Sequence, residues 1–285
     1  MIYLITYLSD GFRVKGYLYL PVGIGMDANS LQAWVQSYYD RDDLTVEEAA
    51  CIWPRKETLP PGSALQLPLF VYCRGGIGRV GRVRLDWLEV FAQHNSILFA
   101  PCYRGNEGGE GRDEFGGADQ TDVVAGIELL QSLPWIQASN VSIMGFSRGS
   151  INAAAAAIRT DVIGQLVIWG GVSDLAATYE ERVDLRRMMK RVIGGTPARR
   201  PEAYASRSPV IHAPELKCPV LIIHGTDDSQ VDYSHGQRLY KRLLELNADT
   251  DMLTLDHQGH HLPRNRFIQT VQEMFAWIEQ KRNYQ

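Results

Sequence analysis

Six short and nearly continuous apolar runs alternate with helix-like segments through most of this sequence. The runs cover residues 67–73, 96–102, 141–145, 165–170, 219–224 and 251–255. Strands that are apolar on both faces are typical of a parallel sheet covered by helices on its two sides. The sequence therefore predicts an α/β fold built on a mostly parallel central sheet.

The first twenty residues break this alternation and predict an antiparallel hairpin at one edge of the sheet. Residues 2–8 and 12–20 are rich in aromatic and β-branched side chains, which favour strands. Ser9-Asp10-Gly11 separates them and is typical of a tight turn. We expect the two strands to pair with each other through this turn.

Residues 26–66 are predicted to form a helical insertion between the hairpin and the first apolar run. They carry helix signals of their own, among them a capping-box pattern in which Thr45 is followed by Glu48. The insertion ends in Leu-Pro-Pro-Gly-Ser at 59–63, a composition typical of a linker. It is also our candidate for a subunit interface in a homo-oligomer.

Residues 174–208 are predicted to form a small helical cap over the carboxyl edge of the sheet. A charged helical run at 179–192 has acidic residues first and basic residues later, the order that complements a helix dipole. Its basic side chains are Arg182, Arg186, Arg187, Lys190 and Arg191. They are typical of a solvated helix face, and the alternative is a basic rim that attracts anionic substrates. We expect residues 1–285 to form a single domain that includes the insertion and the cap.

Composition argues against several classes of function. A net charge of −4, a pI near 6.0 and the lack of a dominant basic run argue against nucleic-acid binding. The N-terminus lacks the pattern of a secretory signal, and no segment reaches the roughly 18 apolar residues that span a bilayer. We therefore expect a cytoplasmic protein without membrane association.

The four cysteines show no metal-ligand spacing and are predicted to be reduced thiols.

Gly145-Phe146-Ser147-Arg148-Gly149 places a serine between two glycines at a sharp strand-to-helix turn. It follows the apolar run 141–144 and leads into the alanines at 153–157. Glycine suits both ends because a Cβ atom at either one would collide with the neighbouring strand and helix. Such a turn lifts the hydroxyl above the sheet and brings the next backbone N–H towards a developing oxyanion. The pattern predicts Ser147 as a nucleophile and Arg148 as an oxyanion donor.

A serine hydroxyl needs a neutral imidazole to accept its proton and a carboxylate to orient that imidazole. In the α/β-hydrolase fold the acid and the histidine follow the serine in that order, each in a loop beyond a strand. Asp227 and Asp228 follow the run 219–223, and Asp174 after an earlier strand is a further candidate. The loop after 251–255 supplies His257, His260 and His261. This order predicts an α/β-hydrolase with a Ser-Asp-His triad.

The residues around these candidates resemble the catalytic domain of the prolyl oligopeptidase family. The stretch 224–231 has the family's His-Gly-x-x-Asp-x-x-Val pattern, and a Gly-His pair follows it. Residues 103–112 are similar to its Tyr-Arg-Gly-Ser-x-Gly-x-Gly segment. The resemblance covers most of 67–278, and it implies Asp228 as the acid and His260 as the base.

The turn Cys73-Arg74-Gly75-Gly76 follows a predicted strand where this fold supplies its second oxyanion donor. The backbone N–H of Gly76 or Gly75 is the candidate. The family usually has His-Gly-Gly-Pro or a tyrosine-containing sequence here, so Arg74 is a departure. If its side chain faces the site, its positive charge favours an acidic substrate, and Arg74 is therefore a candidate substrate-binding residue.

The glycine-rich segment 103–112 contains a second candidate for substrate binding. Glu107 or Glu110 is suited to bind a substrate amine. By contrast, we expect Arg104 and Asp122 only to fasten this loop to the helix that follows.

These observations predict a serine hydrolase that cleaves an ester or amide through an acyl-enzyme, without a metal or other cofactor. The resemblance implies a serine peptidase acting on short peptides. A carboxylesterase acting on small esters is the alternative, and a non-catalytic binding protein on the same scaffold is less favoured. The 66 residues before the resemblance are too few for the β-propeller that many of the family's peptidases carry, so oligopeptidase specificity is not implied.

Overall fold

A computed structural model describes residues 1–21, 24, 26–52 and 66–283 of the protein. Within these residues, nine strands form one mixed sheet. The strands are β1 (Ile2–Ser9), β2 (Phe12–Tyr19), β3 (Val46–Ala50), β4 (Leu67–Cys73), β5 (Ile97–Pro101), β6 (Ile136–Phe146), β7 (Ile163–Trp169), β8 (Val220–Gly225) and β9 (Thr250–Leu255). Their order is β3-β1-β2-β5-β4-β6-β7-β8-β9. All pairings from β5 to β9 are parallel, which confirms the predicted sheet.

Helices cover both faces of this sheet. They are α1 (Ala28–Tyr39), α2 (Leu85–Phe91), α3 (Gln120–Gln131), α4 (Gly149–Arg159), α5 (Leu175–Glu181), α6 (Arg186–Ile193), α7 (Pro201–Ala205), α8 (Ser234–Glu245) and α9 (Arg264–Arg282). One apolar core joins the sheet to α1, α3, α4 and α8, and a second joins its other face to α2 and α9. A smaller third cluster packs α5, α6 and α7 against the loops at the carboxyl ends of the strands.

The N-terminal hairpin forms as predicted, although it does not lie at the edge of the sheet. β1 and β2 pair antiparallel from Ile2 opposite Tyr19 to Ser9 opposite Phe12. Their turn has positive φ at both central residues, 49° at Asp10 and 80° at Gly11, as a type I′ turn requires. β3 pairs with the outer side of β1 and takes the edge position instead.

The capping box predicted at Thr45 and Glu48 is wrong, because these residues enter and form the edge strand β3. Thr6 N donates to Thr45 O at 2.9 Å, and the two threonine hydroxyls lie 3.0 Å apart. These contacts with β1 override a local helix signal. The insertion is helical at α1, and its predicted linker at 59–63 lies outside the described residues.

The charged run predicted as one helix at 179–192 is two helices, α5 and α6, with a one-turn 3₁₀ helix at Val183–Leu185 between them. Arg182 explains the break. Its guanidinium binds Asp184 through two nitrogens and the carbonyl of Gln230 through the third, which turns the chain at the end of α5. The cap therefore contacts the loop after β8.

Candidate active site

Ser147 lies at the tip of a tight turn between β6 and α4. Its φ is 56°, a left-handed value that costs energy for a residue with a Cβ atom. Both flanking glycines are required, as the sequence predicted. A Cβ at Gly145 would lie 2.5 Å from Ser150 Cα in α4, and one at Gly149 would lie 2.0 Å from the carbonyl oxygen of Cys73 in β4.

The turn after β4 lies directly beside this serine. A Cβ at Gly75 would come within 2.8 Å of the Cβ of Ser147, so only glycine fits there. Gly76 has a φ of 65° and packs against Gly81. Both glycines, together with Arg148, line the cavity that contains Ser147, so the predicted oxyanion donors are all within the site.

His260 and Asp228 form a buried pair, with only 7% and 6% of each residue exposed. Nδ1 of His260 donates to Oδ2 of Asp228 at 2.7 Å. The other oxygen, Oδ1, accepts the backbone N–H groups of Gln230 and Val231 at 2.9 and 3.0 Å. Burial alone would raise the pKa of Asp228, but hydrogen bonds from His224 and His260 hold it well below the usual range. The carboxylate is thus ionised, and its hydrogen bond keeps a proton on Nδ1 of His260.

The other candidates for acid and base occupy different positions. Asp227 is more than half exposed and binds the hydroxyl of Thr226, and His257 is 91% exposed. Asp174 caps α5 by accepting the N–H of Ala177, which explains its place after β7. His261 does line the cavity next to His260, with the ring centroids 5.1 Å apart. Burial lowers the pKa of His261.

A buried ionic cluster supports the turn at Ser147, and the sequence did not reveal it. The side chain of Arg148 is about 2% exposed and pairs with both Asp113 and Asp119. Arg74 also pairs with Asp113, at 3.2 Å, and donates to the carbonyl oxygen of Cys102. The proposal of Arg74 as a substrate ligand is therefore corrected, because these internal partners occupy a guanidinium that is about 1% exposed.

The segment 103–112 behaves largely as expected. Arg104 binds Asp122 through its backbone N–H and its guanidinium, which fastens the segment to α3. Glu110 pairs with Arg13 of β2. Glu107 lies outside the cavity lining and pairs with Arg82, with 3.3 Å between Arg82 Nε and Glu107 Oε1. The assignment of Glu107 as a direct ligand of a substrate amine is therefore corrected.

The cavity at Ser147 and His260 has a volume of about 490 Å³. Apolar side chains supply much of its wall, including Phe146, Met188 and Val231, and the cap contributes Thr178, Arg182 and Leu185. A space of this size fits a few residues of a peptide or a small ester.

In residues 1–21, 24, 26–52 and 66–283, no three His, Cys, Asp or Glu side chains are grouped so as to hold a metal ion. No helix there has the length and apolar character needed to cross a membrane.

A buried histidine joins the cap to the body of the protein. Nδ1 of His235, in α8, accepts the N–H of Ser173 at 3.2 Å, so the ring proton is on Nε2. That nitrogen donates to Oε2 of Glu181 in α5 at 2.8 Å. Burial lowers the pKa of His235, and Glu181 offsets part of that effect.

We expect His235 to make the protein less stable in mild acid. Because its folded pKa is lowered, the unfolded chain takes up the proton first as pH falls below about 6.5. The free energy of unfolding should then fall by up to about 1.4 kcal/mol per pH unit more steeply in the wild type than in His235→Gln. Urea titrations from pH 7.5 to 5 measure both slopes. The exposed control His257→Gln should keep the wild-type slope, and parallel curves for wild type and His235→Gln would contradict the prediction.

Comparison with known proteins gives one family and one fold. The family model described as the prolyl oligopeptidase family matches residues 86–285. The chain is 37% identical over 283 residues to the uncharacterized peptidase YtmA of Bacillus subtilis (strain 168), and the match covers 98% of this chain and 94% of that protein.

Two solved structures share the fold. A puromycin-hydrolyzing peptidase of Mycobacterium tuberculosis superposes with a TM-score of 0.73 at 23% identity, covering 98% of this chain and 39% of that one. The acylaminoacyl peptidase of Pyrococcus horikoshii gives 0.72 at 17% identity, with coverages of 98% and 41%. These matches confirm the predicted α/β-hydrolase fold, and the chain spans about two fifths of the length of either protein.

Proposed function

Because the chain belongs to the prolyl oligopeptidase family of serine peptidases, we propose that it cleaves short peptides through an acyl-enzyme on Ser147. His260 is the base in this proposal, and Asp228 orients it. The observation that supports it best is the buried His260–Asp228 pair, whose histidine lines the same cavity as a serine held at positive φ. The family supports a peptidase; the three assigned roles are our inference.

Acylation begins when Oγ of Ser147 attacks the substrate carbonyl carbon while Nε2 of His260 takes the hydroxyl proton. The carbonyl oxygen becomes negative in the tetrahedral intermediate. Collapse of this intermediate breaks the bond to the leaving nitrogen, which receives the proton from His260. Water then attacks the acyl carbon in the same way, and Ser147 leaves with its proton restored as the carboxylic acid is released.

Charge stabilisation comes from two sides of the cavity. The ionised Asp228 offsets the positive charge that His260 carries in each tetrahedral intermediate. The backbone N–H of Arg148 and that of Gly76 or Gly75 are the donors for the oxyanion. Because α4 begins at Gly149, the positive end of its dipole points towards the same position.

Peptidyl p-nitroanilides and short p-nitrophenyl esters, assayed side by side, test this proposal. We expect cleavage of the anilides and stoichiometric labelling of the native protein by a fluorophosphonate, with Ser147→Ala inactive in both assays. Turnover confined to esters would favour a carboxylesterase on the same scaffold. Failure to label and to cleave either substrate class would contradict the acyl-enzyme and favour a binding protein.

A further inference from the structure

The cavity above Ser147 presents cations and, among its described lining residues, no carboxylate. Besides the internally paired Arg148, three arginines reach it; these are Arg82, Arg84 and Arg182. Each pairs with a carboxylate outside the lining, respectively Glu107, Asp86 and Asp184. These carboxylates lie outside the cavity lining, whereas the lining itself carries the guanidinium groups that a substrate would contact.

Arg82 has the most unused hydrogen-bonding capacity of the three. Arg182 commits three nitrogens to Asp184 and the Gln230 carbonyl, and Arg84 makes a two-point pair with its own acid. The Nε of Arg82 lies 3.3 Å from Oε1 of Glu107, and its Nη1 and Nη2 make no hydrogen bond to the described residues. Its side chain is 64% exposed, against 20% for Glu107.

This arrangement is suited to a planar anion. The planar guanidinium directs its two terminal nitrogens together, and that fork matches the two oxygens of a carboxylate. A free substrate ammonium, by contrast, finds no acidic partner in the described lining. The apolar wall formed by residues such as Ile77 and Val80 suits the rest of the acyl group.

We propose that Arg82 is a specificity-determining residue that binds a carboxylate on the acyl part of the substrate, with Glu107 positioning its guanidinium. This inference rests on the proposed function at Ser147. The acyl part is the relevant one because it stays bonded to the serine through both half-reactions and occupies the cavity throughout. The preferred substrates therefore carry an acidic side chain or a dicarboxylic acyl group next to the scissile bond.

A pair of isosteric substrates tests this assignment. N-acetyl-glutamate p-nitroanilide and N-acetyl-glutamine p-nitroanilide differ in charge and hardly in shape. We expect the wild type to favour the glutamate substrate at least about tenfold in kcat/KM, as for a charge-assisted hydrogen bond. In Arg82→Gln this ratio should fall to about one through loss of the glutamate activity, and Arg82→Lys should retain part of it. Raising the NaCl concentration should lower the wild-type ratio.

Arg187→Gln is the matched control, since it removes the same charge from an exposed position of the cap outside the cavity lining. It should keep the wild-type ratio. If the enzyme accepts only esters, mono-p-nitrophenyl glutarate and p-nitrophenyl pentanoate provide the same comparison. Equal rates on both members of a pair, or equal losses on both in Arg82→Gln, would overturn the role of Arg82 while leaving the hydrolase intact. Absence of any Ser147-dependent turnover would instead overturn the proposed function.

Discussion

Replacing Ser147 with alanine is expected to lower kcat about 10⁶-fold on any substrate that the wild type cleaves. The change removes the only atom that forms the acyl bond, and His260 with the oxyanion donors then accelerates water attack only weakly. The backbone hydrogen bond from Ser147 N to Trp169 O does not involve the hydroxyl, so the turn should persist. Steady-state rates and thermal unfolding of the same preparation measure both expectations.

Ser229→Ala is the control for this substitution, because Ser229 is an exposed serine next to the proposed acid. It should keep wild-type activity and fluorophosphonate labelling. A Ser147→Ala protein that retains more than about 1% of the wild-type kcat would contradict nucleophilic catalysis by this serine. A loss of both activity and fold would require Ser147→Gly, which also removes the hydroxyl but relieves the positive φ.

The sequence was sufficient for the parallel sheet because each buried strand is apolar on both faces and bounded by turn residues. It failed at 45–48, where a capping-box pattern is also compatible with an edge strand. The choice there depends on pairing with β1, a contact between residues some forty positions apart. The break within 179–192 has a similar cause, since Arg182 is held by the distant carbonyl of Gln230.

The candidate site shows the same division between local and distant information. The glycines around Ser147 could be predicted because the turn itself demands them. The environment of Arg74 could not, since its partner Asp113 comes from a loop beyond the next strand. The spacing of Asp113 and Asp119 after the segment 103–112 was the available signal, and it does not specify a partner. The role of Glu107 likewise depends on its contact with Arg82, which the sequence does not specify.

Replacing Asp228 with asparagine is expected to lower kcat/KM about 10⁴-fold with little change in the fold. The asparagine carbonyl oxygen can still accept the N–H groups of Gln230 and Val231, which hold the loop. Its NH₂ group would then face Nδ1 of His260 and favour the tautomer with the proton on Nε2. That tautomer cannot accept the hydroxyl proton of Ser147, and the negative charge that stabilises the imidazolium is lost.

Asp227→Asn makes the same chemical change at the adjacent position and separates the two candidate acids. The side chain of Asp227 is more than half exposed, so solvent screens its charge. We expect this variant to stay within about threefold of the wild-type kcat/KM, since surface substitutions of this kind have small effects. If Asp227→Asn instead carried the large loss, with Asp228→Asn near the wild type, the orienting role would belong to Asp227. The short hydrogen bond from His260 to Asp228 would then be structural.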